Sequence, residues 1–330
     1  MHVLNETPST TLPVLPSVTA VIENLRWVSF KPQAIPSAVL KWGHEVDPHA
    51  AWHHPCHPKG EGQEGVQWIF VLDVLNHCFW PDPNHEAWGV EYRGRFYSGY
   101  WGLAACLRRA VDEGVPICDA GFLRKMDRES IQHLFRGRGS IPLMEERLNN
   151  LREAGEVLLH RWGGHIIHLL EESGQDAVRT VHQIVESFPS FRDESSYNGK
   201  NVYFWKRAQL FVSDVHQSFS GRDWGAFERL DKLTAFADYK LPQVLRELKI
   251  ISYEKGLEER VDNLSFIDAG SPEENEIRAA TVWAVEQLKS EFQRQGRKVD
   301  SPWVDNWLWN LGQRSEFRKR PYHRCRTIYY

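Results

Sequence analysis

The chain is poor in cysteine and has none spaced for pairing. Cys56, Cys78, Cys106, Cys118 and Cys325 are the only five in 330 residues, and no Cys-x-x-Cys occurs. That usage excludes a disulfide framework and fits a reduced cell interior. No apolar run approaches the ~20 residues that cross a bilayer. Residues 1–20 hold Thr, Ser and Pro but no basic stretch followed by an apolar one, so they do not read as a secretory signal. Excess positive charge is missing as well: the net charge is −4 and the pI about 6.4. A protein that grips a polyanion normally carries a basic face. Long DNA or RNA is therefore a poor partner, while a single nucleotide stays open. A Walker loop and a dinucleotide glycine fingerprint are both lacking. The expectation is a cytoplasmic protein without a membrane segment and without a cofactor.

What is present is a large apolar and aromatic supply: 42% hydrophobic residues and 14 tryptophans, enough for a thick core and an aromatic cleft. Residues 1–20, with Pro8, Pro13 and Pro16, are expected to be an arm without its own core. Residues 21–330 are expected to form one compact domain. Residues 43–65, rich in His, Pro and Gly, read as loop. Val66 to Asn76 is a continuous apolar stretch. Val90–Tyr97 alternates around Gly94 and suits a hairpin. Helical spacing then dominates, with helices predicted over 103–113, 127–136, from Pro142 to Gly163-Gly164, and over 176–187. Further helices are predicted over 200–219 (following an Asn198-Gly199 turn), 241–248, 276–293 and 302–311. The fold class is mainly α with a small β element near 66–98.

Two segments carry the chemistry. Phe204-Trp205-Lys206-Arg207 and Phe236-Ala237-Asp238-Tyr239 each set an ionisable residue among large apolar neighbours. A lysine and an aspartate so placed shift each other's charge behaviour, and such pairs are over-represented at reactive sites. Asp238 equally suits a cap for the helix beginning near Leu241. The residue four positions beyond Lys206 is Leu210, so Lys206 lies on an apolar face and calls for an anion. Alternatively, its stem packs while the amine reaches water. His44, His49, His53, His54, Cys56 and His57 fall within fourteen residues, but Pro55 and Pro58 interrupt them and the spacing is not that of a zinc site. No metal is expected.

These segments, with Tyr97-Ser98-Gly99-Tyr100-Trp101, Glu186-Ser187-Phe188-Pro189-Ser190 and the terminal His323-Arg324-x-Arg326-x-Ile328-Tyr329-Tyr330, resemble the queuosine salvage family, in order from about His44 to Tyr330. The resemblance implies an N-glycosidase that releases queuine from queuosine 5′-monophosphate, leaving ribose 5-phosphate, with a small-molecule nucleotide as its partner. It also implies a fold resembling the helix-hairpin-helix DNA glycosylase superfamily, although the glycine-rich hairpin that grips DNA is absent around 241–248. Asp238 matches the family's acidic residue, expected to stabilise an oxocarbenium and orient water or to attack C1′. Lys206 is expected to pair with Asp238 or to hold the phosphate. Queuine carries a secondary ammonium and a diol, which call for carboxylates and amides in an aromatic pocket. Asp305, Asp73 and Asn76 are candidates for these contacts, Phe204 and Phe236 for stacking, and His44 for a hydrogen bond to the base. Arg324 and Arg326 suit either phosphate or surface ion pairs. The rivals are a DNA or RNA base glycosylase and a non-enzymatic protein that binds queuosine compounds or tRNA.

Overall fold

Pro13 and Pro16 begin a helix instead of preventing one. The computed structural model describes residues 10–44, 52, 54–58 and 62–330, and within it Val14–Ile22 is helix α1. Both prolines stand at its start, where backbone N–H groups have no intrahelical partner to lose. Val14, Val18 and Val21 form a buried stripe packed on the long helix Pro272–Arg294. This corrects the expected arm over its described part: the valine spacing outweighs the prolines. The following turn is fixed by buried Glu276, whose carboxylate accepts from the Arg26, Trp27 and Val28 amides (2.8–3.0 Å) and from the Tyr197 hydroxyl. Strand β1 (Val28–Phe30) and helix α2 (Ile35–Trp42) follow.

The apolar stretch expected to help form the β element is helix α3 (Gly62–Val74), buried on every side from Gly65 onward. A continuous apolar run has no period to separate strand from helix, and here length decides. The β structure of this region is confined to the hairpin β2 (Gly89–Tyr92) and β3 (Arg95–Ser98), turned by Arg93 and Gly94 at positive φ. Helices α4 (Gly99–Asp112), α5 (Ala120–Lys125), α6 (Arg128–Leu134) and α7 (Met144–Trp162) come next. Asp119 and Asp127 cap α5 and α6 through their side chains, and Gly163 closes α7 in the left-handed region. Two further helices are α8 (Ile167–Glu172) and α9 (Ala177–Ser187).

The predicted 200–219 helix is divided. Asn198-Gly199, both at positive φ, fold strand β5 (Lys200–Tyr203) back on β4 (Glu194–Tyr197), and helix α10 begins only at Lys206 and runs to Ser218. The turn signal takes the first four residues from the helix. The chain ends with α11 (Lys240–Glu247), β6 (Ile251–Tyr253), α12 (Lys255–Asp262), α13 (Pro272–Arg294) and α14 (Ser301–Leu311). β6 pairs antiparallel with β1, tying the first and last thirds of the chain together. The described residues are thus mainly α with three two-stranded antiparallel sheets, and none of their helices is long and apolar enough to cross a membrane.

Candidate active site

Lys206 is placed by a corner that the backbone pays for in strain. Trp205, the residue before α10, sits at φ 50°, a region costly for a bulky side chain. Asp193 over-determines it: its carbonyl accepts from the Phe204 and Trp205 amides, and its Oδ2 accepts from the Lys206 amide at 3.1 Å. From there α10 presents Lys206, Leu210, Asp214 and Gln217 to one cavity, a spacing of four, four and three that makes a single helix face.

Asp238 belongs to an irregular buried segment held from three helices. Gln209 of α10 accepts from the Thr234 amide (2.8 Å), Asp305 of α14 accepts from the Phe236 amide (2.7 Å), and Arg278 of α13 donates to the Ala237 carbonyl (3.2 Å). Asp238 Oδ1 then accepts from the Lys240 and Leu241 amides at 2.7 and 2.9 Å. The expected cap is present, and the same side chain lines the cavity: one oxygen starts α11 while the carboxylate faces the lining.

The cavity lies where α10, the Phe236–Tyr239 segment and α14 meet. Its aromatic walls are Tyr100 and Trp101 from α4, Trp309 from α14, Phe236 and Tyr239, with Phe79 and Tyr330 beside them. Tyr100 meets Trp101 and Trp309 edge-on, at 5.1 and 5.8 Å between ring centres. Behind Tyr100, buried His57 stacks on Trp52 at 4.2 Å. Its Nδ1 is 3.3 Å from the Trp52 carbonyl, which only accepts, so Nε2 is the acceptor for the Tyr100 hydroxyl at 2.8 Å. Burial holds this imidazole neutral, with a pKa of about 3.

Charge inside the cavity is unbalanced. Asp214, Asp238 and Asp305 line it against one lysine, Lys206, and Asp73 lies just behind. Burial pushes Asp305 up to about 8, with Asp238 adding to the rise. Asp214 rises well above the usual carboxylate range, from burial and then from Asp73. Burial also raises Asp238, against the opposing pull of Lys206 and the two amides. Lys206 is lowered by burial and supported by Asp238 and Asp73. It makes no direct ion pair with Asp238 among the described contacts; its Nζ reaches only the Asn76 carbonyl, at 3.4 Å. A chamber with this excess of carboxyl groups and flat walls suits a planar ligand carrying a cation.

Of the expected residues, Lys206, Asp238, Asn76, Phe236 and Asp305 meet at this cavity. Asp73 is fully buried behind it, donated to by Asn76 Nδ2 (3.3 Å) and with Oδ2 unpartnered among the described residues. Phe204 is core, with the Arg278 guanidinium 3.9 Å over its ring. His44 is exposed beyond the end of α2, outside the lining. His49 and His53 lie outside the described residues. Tyr100 and Trp101 stood in the Tyr97–Trp101 motif and His57 in the histidine cluster, none with an assigned role in the site, and Asp214 and Trp309 were not candidates. The face that starts at Lys206 and Leu210 extends by one more turn to Asp214, and that spacing was available.

Comparison with known proteins identifies the family. The family model described as queuosine salvage protein matches residues 56–330. A protein of Sphaerobacter thermophilus named queuosine 5′-phosphate N-glycosylase/hydrolase is 42% identical over 324 residues, covering 98% of this chain and 99% of its own. Proteins of the same name from Bos taurus and Dictyostelium discoideum are 35% and 36% identical, over 84% of this chain and 85% and 84% of theirs. The chain belongs to the queuosine salvage protein family.

Proposed function

We propose that this chain hydrolyses the N-glycosidic bond of queuosine 5′-monophosphate, giving queuine and ribose 5-phosphate. The observation that carries the reading is the Asp238 carboxylate, pinned by two amides and facing an acidic, aromatic chamber, in a family whose named relatives are queuosine 5′-phosphate hydrolases. As C1′ gains positive charge, Asp238 stabilises it and orients water, or attacks C1′ itself. The C1′–N bond breaks, the electron pair leaves with the base, and water supplies the oxygen and the proton balance. Lys206 sits within electrostatic reach and favours the ionised form of Asp238, against the upward push of burial.

Queuine is a 7-deaza base with no N7 to protonate, so help to the leaving group comes through other atoms. Asp305 and Asp214 enter the reading in two ways. Burial favours their neutral forms, which donate hydrogen bonds; ionised, they receive the secondary ammonium of the base. Phe236 and the Tyr100, Trp101 and Trp309 walls stack the ring system. No cofactor is required for this hydrolysis. Kinship to the helix-hairpin-helix glycosylases is part of the proposal: a lysine opening a buried helix precedes an aspartate that starts the next, 32 residues on (238 − 206), without the DNA-gripping hairpin. The partner is a small nucleotide, not a long nucleic acid, and the compartment is the cytoplasm.

The deciding experiment is chromatography of purified protein incubated with queuosine 5′-monophosphate, with GMP as control. The expected result is queuine from the first and no guanine from the second. Tight binding without free base makes the protein a sequestering one, and base release from duplex oligonucleotides makes it a nucleic-acid glycosylase.

A further inference from the structure

Asp238 borders two spaces. It lines the acidic chamber and also an outer cleft that shares Tyr100, Trp101, Tyr239 and Trp309 with that chamber. The charge of the outer cleft is reversed: Lys240, Arg318 and Arg324 line it, and Asp238 is its only carboxylate among the described residues.

These three cations differ from their neighbours. In the same part of the chain Arg246 pairs with Glu258 and Asp262, Arg320 with Glu258, Arg314 with Glu316, and Arg326 with Asp82. Lys240 Nζ instead donates to the Gln243 amide oxygen (2.9 Å). Arg318 donates to the Gly312 carbonyl (2.9 Å) and to Gln313 (3.0 Å). Arg324 donates to the Pro81 carbonyl at 3.4 Å and lies over the Trp80 ring, and its buried Nε has no hydrogen-bond partner among the described residues. Neutral oxygens orient these cations without neutralising them. Unneutralised cations on one cleft repel each other, and an arrangement of this kind is kept where an anion arrives.

The cleft is also built. Gly312 has no Cβ, and one added there would lie 2.7 Å from Lys240 Cδ and 3.0 Å from Cγ. The same glycine's carbonyl holds Arg318, so one position places both cations. Lys240 is linked to the reaction centre as well, because its backbone amide donates to Asp238 Oδ1.

We propose that this outer cleft is a phosphomonoester subsite, formed by Lys240, Arg318 and Arg324, that receives the 5′-phosphate while the base occupies the inner chamber. The inference rests on the nucleotide-hydrolase reading and assigns the phosphate to the mouth, away from Lys206. A zwitterionic nucleotide then spans the two compartments, cation inward and dianion outward, with C1′ left at Asp238 on their border.

The test compares kcat/KM for queuosine 5′-monophosphate and for the nucleoside queuosine, and measures binding of ribose 5-phosphate to the full chain by calorimetry. Arg318→Gln and Lys240→Gln are each expected to reduce the phosphate-to-nucleoside ratio of kcat/KM at least tenfold and to weaken ribose 5-phosphate by a similar factor. Arg318→Lys should restore part of both. Gly312→Ala, which displaces the Lys240 stem, should lower the ratio by less. Equal losses for nucleotide and nucleoside would overturn the subsite, as would unchanged ribose 5-phosphate binding, or its loss in Lys206→Gln instead. If the wild-type protein cleaves neither compound, the hydrolase reading fails, and the ribose 5-phosphate measurement still decides the subsite.

Discussion

Two clusters of buried charge adjoin in this protein, and they are built on opposite terms. In the first, the Arg278 guanidinium meets Asp193 with both terminal nitrogens (2.6 and 2.7 Å), approaches Glu274 at 3.5 Å, donates to the Ala237 carbonyl and lies between the rings of Phe204 and Tyr330. Every donor that faces inward is used. In the second, Lys206, Asp214, Asp238 and Asp305 share a cavity with no ion pair closed between them among the described contacts, and Asp73 behind them leaves one oxygen unpartnered. Burying charge is expensive unless it is paired and hydrogen-bonded. The first cluster meets that condition internally and acts as scaffold. The second leaves it unmet, which is what a site waiting for a charged ligand requires. The two are coupled through Asp193, which ion-pairs Arg278 and also caps the strained turn that aims Lys206.

The sharpest way to break this contrast is Asp238→Asn. The amide oxygen of Asn still accepts from the Lys240 and Leu241 amides, so the start of α11 survives while the charge proposed to act at C1′ is lost. Turnover should fall by about 10³- to 10⁴-fold, equivalent to ~4–5.5 kcal/mol of transition-state stabilisation, with substrate affinity changed by a few fold at most. Single-turnover kinetics alongside calorimetric binding separate the two effects. Normal turnover would reduce Asp238 to its capping role.

On the scaffold side the matching substitution is Arg278→Gln, which strands Asp193 in the core. Removing one partner of a buried pair costs about 3–5 kcal/mol, and the loss should appear as a lower midpoint in urea with an unchanged slope. A loss below about 1 kcal/mol would mean that the scaffold pair is no better satisfied than the chamber, and the distinction between the clusters would lapse.

A smaller effect should come from pH. Asp305 is held at about 8 in the folded protein, against an ordinary carboxylate value near 3.8 in the unfolded chain. Between those values the folded state binds more protons than the unfolded one, so stability falls as pH rises and the fall ends near pH 8. The buried histidines His57 and His323, both lowered to about 3, act in the opposite direction, but only below the usual histidine pKa near 6.5. Thermal melts from pH 6.5 to 7.5 stay clear of these histidines and of Lys240, which is lowered to about 8 and adds stability above that pH, while Asp73, raised to about 7, adds to the decline. Asp305→Asn, whose side-chain oxygen still accepts from the Phe236 amide, should flatten the decline. A decline equally steep in wild type and variant would assign the titration to another group.

How much of this was legible in advance follows from the range of each signal. Helices with a local stop or start, such as the one closed by Gly163-Gly164, are set by nearby residues and were read almost to the residue. The Asn198-Gly199 signal was read too, but its consequence was not, because a turn says nothing about which strands it pairs. The Lys206 and Asp238 segments stood out as ionisable residues in apolar surroundings. Asp214 and the Trp309 wall did not, since an aspartate in an amphipathic helix looks solvated until the packing of α10 is known. The distinction between paired and unpaired arginines lay beyond the sequence altogether. Arg318, Arg320, Arg324 and Arg326 are alike in composition and differ only in which carboxylates the fold brings to them.

That last difference yields the smallest prediction. Arg326 lies two positions beyond Arg324, is exposed, and pairs with Asp82. An exposed ion pair contributes about 0–1 kcal/mol, so Arg326→Gln should shift the urea midpoint barely beyond error. It should leave ribose 5-phosphate binding within about twofold, since Arg326 does not line the outer cleft. Arg324→Gln, removing a cation with no carboxylate partner, should weaken that binding clearly more than Arg326→Gln does. If the two substitutions weaken it equally, the cleft attracts phosphate through general positive charge along 318–326, and the contrast between satisfied and unsatisfied charge does not extend to the mouth of the site. If only Arg324 matters, one rule covers both the interior and the surface of this protein: charges that the fold has already neutralised hold it together, and those left without a partner are where the substrate binds.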